Sequence, residues 1–296
     1  MEKHPPTQTK QVGFAYGFLG VLGFSLTLPA TRAAVTDLDP VIVGIGRALV
    51  TAGLALIVLL IRRQAPPAWR FLPQFAIVIA GVVIGFPLLS ALAMRNVPAS
   101  YGAVITGLLP LATALAGVWR AKERPSAQFW FFAIAGSIAV VGFALSSGSG
   151  KLNFADLALL GAISAAGLGY AEGAILARTF GGWQVICWSL ILSIPVLLAI
   201  LLLAGVSFPL HVSASAWLGF SYVSIVSMFL AFFAWYHGLA IGGISCVGQV
   251  QLLQPFLTIL GSAVLLGEPL TLHTLSFALC VMVCVVLGKR AQIGAA

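Results

Sequence analysis

Long apolar runs of nearly constant length alternate along the chain with short polar breaks. Ten such runs, each about 18 to 24 residues and so near the ~20 that a helix needs to cross the hydrocarbon core, lie close to 13–32, 40–61, 72–94, 98–119, 126–146, 154–177, 182–204, 214–237, 243–266 and 271–288. None alternates residue by residue as a membrane β-strand does, so helices must satisfy the backbone. The pattern predicts an all-α integral membrane protein of ten transmembrane helices. The connections are too short for a soluble domain. The first run exceeds the roughly 7 to 15 apolar residues of a signal peptide, so it is expected to remain as a helix.

The pattern also repeats. Sliding the chain by 145 positions places Ser100 on Ser245, Pro110 on Pro255, Thr113 on Thr258, Glu123 on Glu268, and Val140–Val141 on Val285–Val286. Two units of five helices follow, 1–148 and 149–296, together forming one transport domain. An odd number of spans per unit turns the second upside down, which gives an inverted repeat with a site expected at the midplane.

Charge fixes the expected orientation. Lys3, Lys10, Arg62, Arg63, Arg70, Arg120, Lys122, Arg124, Arg178, Lys289 and Arg290 fall on one side of the ten spans. Arg32, Arg95 and Lys151 fall on the other. Basic loops stay in the cytoplasm, so both termini are expected there. The formal charge of +8 is spread over these loops in small groups, which topology explains without nucleic acid. With 60% apolar and 7% charged residues, the lipid bilayer is the expected surrounding, and a cell inner membrane the expected location. The composition leaves open whether the protein is a monomer or a dimer.

Catalytic chemistry finds little to work with. Seven acidic residues are present, and Glu2, Asp37, Asp39, Glu123, Asp156 and Glu268 are expected in the tail or in loops on opposite sides, so no catalytic residues converge. Cys187, Cys246, Cys280 and Cys284 lie within spans and read as packing residues. Cys280 and Cys284 share a helix face without a His or carboxylate beside them, so no metal site and no cofactor is expected.

The residues suited to transport are few. A proline inside a helix removes the partner of the carbonyl four residues earlier, so Pro110 and Pro255 are expected to free the carbonyls of Thr106 and Gln251 and to act as hinges; the alternative is that neighbouring groups absorb both kinks. Gln249, Gln251 and Gln254 put three amides in one span, either to meet the main-chain groups of a substrate or to join helices. Tyr101, Tyr170 and Tyr222 are candidates to line the cavity for an apolar side chain, whereas Trp183, Trp217, Trp235 and Tyr236 also suit the membrane interface. His237 is expected to be a solvated loop residue. Arg47 and Glu172 are the charges placed within spans. Each either faces a watery cavity and the substrate, pairs with the other as a gate, or snorkels to the headgroups.

The segment "GRAL" entering the second span, "GEPLT" before the last, and the openings of the fourth and ninth spans, "NVPASYGAVITGLLPL" and "GGISCVGQVQLLQPFL", resemble the drug/metabolite transporter superfamily in its EamA-type branch. Within that branch the chain is similar to the YddG-type exporters of aromatic amino acids. The resemblance spans essentially the whole chain and implies a basket of helices around a central cavity, with the fifth and tenth at the periphery. The first unit departs from it, having "KERPS" where the second has "GEPLT".

The reading is a transporter of a small molecule, an amino acid or related metabolite, that exports aromatic and other neutral amino acids by alternating access. The pocket is expected between the first, third, fourth, sixth, eighth and ninth helices. Scarce buried acids favour facilitated movement; the alternative is proton-coupled export of drugs or other small metabolites. A channel or a membrane enzyme fits less well, because neither filter motifs nor convergent ligands are present.

Overall fold

A computed structural model describes residues 7–121, 127–147, 153–206, 209–242 and 247–293. Among them every regular element is helical. In chain order the segments are α1 (Gln11–Ala34), α2 (Ile42–Ile61), α3 (Trp69–Met94), α4 (Ala99–Trp119), α5 (Ala127–Ser147), α6 (Phe154–Phe180), α7 (Gly182–Ala204), α8 (Ala214–Ile241), α9 (Gln254–Leu266) and α10 (Leu272–Ile293). Seven of them, α1 to α4 and α6 to α8, are long and apolar enough to cross a membrane. Among the described residues the apolar stretches of the other three regions are shorter, Trp130–Phe143, Val250–Leu266 and Leu272–Cys284.

Large apolar side chains face outward, while among the described residues three charged ones are buried. Leu203 is 88% exposed, while Arg47 and Asp156 are 1% exposed and Glu172 is fully enclosed. Lipid in place of water around the bundle accounts for this inversion: apolar atoms lose nothing facing acyl chains, and polar groups must find partners inside.

Local sequence sets the helix ends. Asn153 caps α6, its side chain accepting from the N–H groups of Ala155 and Asp156, while Asp156 accepts the Asn153 N–H in return. Gly205 and Gly267 end α7 and α9 with φ of 59° and 67°, a left-handed conformation that costs glycine little.

The packing pairs the two halves. α2 lies on α7, α4 on α9, and α5 on α10, while α1 crosses α8 as α3 crosses α6. Close approach at the α3–α6 crossing needs glycine, since a Cβ on Gly81 would come within 2.3 Å of the Ala165 carbonyl oxygen. α5 and α10 form an outer pair beside α4.

Six of the helices are irregular. α1 is interrupted at Leu26, between Thr7–Ser25 and Thr27–Ala34. α2 opens with a π-helical turn, Ile42–Gly46, and α3 and α8 contain π segments at Ile79–Gly85 and Tyr222–Leu230. A shift of 145 would carry 79–85 to 224–230, inside the α8 segment. α4 breaks after Thr106 and resumes at Leu109, and a 3₁₀ turn, Gly248–Leu253, leads into α9.

One of the two carbonyls expected to be freed by a proline keeps a partner. Pro110 and Pro255 are each the second residue of a restarting helix, where a missing N–H is tolerated. The Gln251 carbonyl is not freed, because it accepts the Gln254 N–H.

Candidate functional site

The irregular turns of α1, α2, α3, α8 and α9 converge on one cavity. It has a volume of about 20 Å³ and is lined by residues of α1, α2, α3, α6, α8 and α9. α2 therefore contributes where the sequence pointed to α4. That volume is room for about one water; a larger occupant requires the walls to part.

Arg47 enters from α2, immediately after the π turn. Its Nε and Nη1 have no hydrogen-bond partner, and burial rules out snorkelling. Glu172 is buried on α6 outside the lining. The backbone beneath Arg47 is held firmly: the Thr51 hydroxyl lies 2.7 Å from the carbonyls of both Arg47 and Ser224, which ties α2 to the π segment of α8.

Hydroxyls mend the other breaks. Thr27 and Ser227 share a 2.7 Å hydrogen bond between α1 and α8, both at the cavity wall. Thr258 of α9 donates to the Ser25 carbonyl at the interruption of α1. Each bond satisfies a polar group where lipid could not.

Gln254 starts α9 and lines the cavity with a buried, unpartnered Oε1. Gln251 is buried with its Nε2 unpartnered, but it lies outside the lining. The side chain of Gln249 lies outside the described residues.

Aromatic rings form the remaining wall. Tyr170 stacks on Phe24 at 6.2 Å, and Phe24 meets Phe232 edge-on at 4.9 Å. Trp235 and Tyr236 pack behind them, fully buried, so they are not interfacial anchors. Trp217 is half exposed, as an anchor would be.

The other two tyrosines serve elsewhere. Tyr222 donates to the Gly23 carbonyl at 3.0 Å, and Tyr101 donates to Asp156 Oδ1 at 2.5 Å. Asp156 is thus a buried helix-start residue, contrary to its expected loop placement, because two donors compensate its desolvation. His237 is exposed yet lies within α8, with its ring against Tyr16. Cys187 is buried, Cys280 is exposed and Cys284 half-buried; Cys246 lies outside the described residues.

The end opposite the basic loops carries further ties. Glu268 accepts from the first N–H groups of α4, Arg32 donates to the Met94 carbonyl, and Asp37 accepts the Ser213 N–H at 2.8 Å. The Ser213 hydroxyl and amide hold the Asp37 carboxyl below its usual value.

Sequence reading missed Phe24, Thr27, Phe86, Ser227, Met228 and Phe232 in the lining. The hydroxyls left a signal, since polar residues deep in the first and eighth spans need an inward role. The phenylalanines left none.

Comparison with known proteins places this geometry. Residues 11–145 and 153–288 each match the model of the EamA-like transporter family. An "Uncharacterized transporter YdeK" of Bacillus subtilis (strain 168) is 47% identical over 278 residues, covering 94% of this chain and 97% of that protein. A crystal structure of a protein with 17% identity superposes with a TM-score of 0.66 over 97% of this chain and 99% of its own, a likeness of fold alone.

Proposed function

The chain belongs to the EamA-like transporter family, and we propose that this membrane transporter exports aromatic and other neutral amino acids, or related metabolites, across the cell's inner membrane. The observation that carries the reading is the cavity itself: a buried guanidinium with unpartnered N–H groups, an unpartnered amide oxygen on Gln254, and a wall of aromatic rings. The first suits a carboxylate, the second an ammonium, and the third an apolar side chain.

Alternating access follows from the same features. Ten spans with both termini in the cytoplasm make two inverted halves, and the pairing of α2 with α7 and of α4 with α9 supports that arrangement. Helices broken beside the cavity offer hinges that a regular helix lacks. Pro110 and Pro255 stand just beyond two of the breaks.

Movement is facilitative in this reading, since none of the lining residues is acidic. Proton-coupled export is the second reading. It draws on Asp156 and Glu172, two carboxylates buried on α6, of which proton carriers make use.

Purified protein in liposomes tests both. Saturable uptake of labelled phenylalanine without an ion gradient, inhibited better by tryptophan than by alanine or a quaternary amine, is the expected result. Uptake only under a pH gradient would favour the second reading. No uptake under either condition would reject amino acids as the substrate class.

A further inference from the structure

We propose that the cavity accepts apolar organic monocarboxylates that lack an ammonium group, and that it binds them at least as tightly as the corresponding amino acids. The inference rests on the reading of this cavity as the substrate site and deepens it.

The charge inventory carries the argument. Among the described residues, Arg47 is the one formally charged residue lining the cavity, and its Nε and Nη1 are unpartnered. A planar guanidinium presents parallel N–H groups that fit the two oxygens of a carboxylate. The two buried carboxylates of α6, Asp156 and Glu172, lie outside the lining. An arriving monoanion therefore neutralises the site. A zwitterion leaves one net positive charge in a region of low dielectric, with only neutral oxygens to receive its ammonium.

Those oxygens are few. They belong to Thr27 and Ser227, which share a 2.7 Å hydrogen bond, to the Tyr170 hydroxyl, and to the Gln254 amide, whose Oε1 is unpartnered. That amide, turned over, donates N–H to a carboxylate as readily as its oxygen accepts from an ammonium. The rest of the occupant meets Phe24, Tyr170, Met228 and Phe232, which select an apolar body rather than a second charge. An amine without a carboxylate gains nothing from Arg47 and is repelled by it.

The test measures equilibrium binding of labelled 3-phenylpropanoate and, separately, labelled phenylalanine to the purified full-length protein, with phenethylamine as competitor. The expected result is that 3-phenylpropanoate binds as tightly as phenylalanine or more tightly, and that phenethylamine competes about tenfold less well than either. Binding of 3-phenylpropanoate without phenylalanine would support the inference and remove amino acids from the proposed function. Phenylalanine binding about tenfold tighter would overturn the inference and leave the amino-acid reading standing. Binding of neither would overturn both. Arg47→Gln should weaken 3-phenylpropanoate by at least about tenfold, and Arg47→Lys, which keeps the charge, by less. Both variants are first checked for an unchanged elution profile. A correctly eluting Arg47→Gln protein that binds as the parent does would overturn the assignment of Arg47.

Discussion

Glu268 sits over the start of α4 beside Ser100, and its two carboxylate oxygens accept the N–H groups of Ala99 and Ser100 at 2.8 Å each. The connection between α9 and α10 thus caps a helix that begins 169 residues earlier. A carboxylate at a helix start satisfies two orphan donors and meets the positive end of the dipole. Glu268→Gln keeps the shape and loses the charge, at an expected cost of about 1 kcal/mol. A lower melting temperature in detergent should report it, with Glu268→Ala lower still; equal melting for all three proteins would show that the cap contributes nothing.

Arg47 presents the opposite balance, because an unpaired buried charge costs stability in the empty protein. Arg47→Met is expected to melt no lower than the parent and to gain up to about 2 kcal/mol, while transport falls at least about tenfold. Thermal unfolding and liposome uptake on one preparation separate the two effects. A variant that transports normally would remove Arg47 from the site.

Gln254→Leu and Gln251→Leu distinguish the two amides. Only Gln254 lines the cavity, so its replacement should reduce uptake more, with folding intact. The reverse order would point to Gln251 as the residue that meets substrate after the walls part.

Thr27 and Ser227 bind each other across α1 and α8. Thr27→Val or Ser227→Ala leaves the surviving hydroxyl without its partner, at about 1 kcal/mol each. The double variant should cost less than the sum, since removing both ends leaves nothing unsatisfied. Additive losses in a thermal double-mutant cycle would mean that the bond has no energetic role.

Gly81 fits where a methyl group cannot, with Ala165 and Gly169 backbone atoms 2.3 to 3.0 Å from the site of a Cβ. Gly81→Ala must push α3 away from α6, at a cost of roughly 1 to 3 kcal/mol. The yield of folded protein and its melting temperature should both fall; unchanged values would show that the crossing has slack.

That the chain is all-helical and built of long apolar segments was legible in the sequence, because a helix that spans a bilayer must be apolar for about 20 residues whatever surrounds it. The internal shift of 145 was equally plain. Arg47 and Glu172 could be singled out one residue at a time, since burying a charge is costly in any fold. Their surroundings could not: the structure puts Arg47 at the cavity and Glu172 outside its lining.

The rest depended on tertiary structure. A helix that is apolar on every side carries no stripe to say which face looks inward, so Phe24 and Phe232 could not be told from the phenylalanines that face lipid, nor Trp235 from an interfacial anchor. Asp156 read as a loop residue because its hydroxyl donor, Tyr101, lies 55 positions away. The interruptions of α1, α4 and α9 are stable only where another segment or a local turn takes up polar groups that a regular helix would satisfy, as Thr258 does for Ser25. Hydropathy is a property of each residue and its near neighbours. Which polar groups pair, and which remain bare toward a cavity, is decided by contacts between helices far apart in the chain.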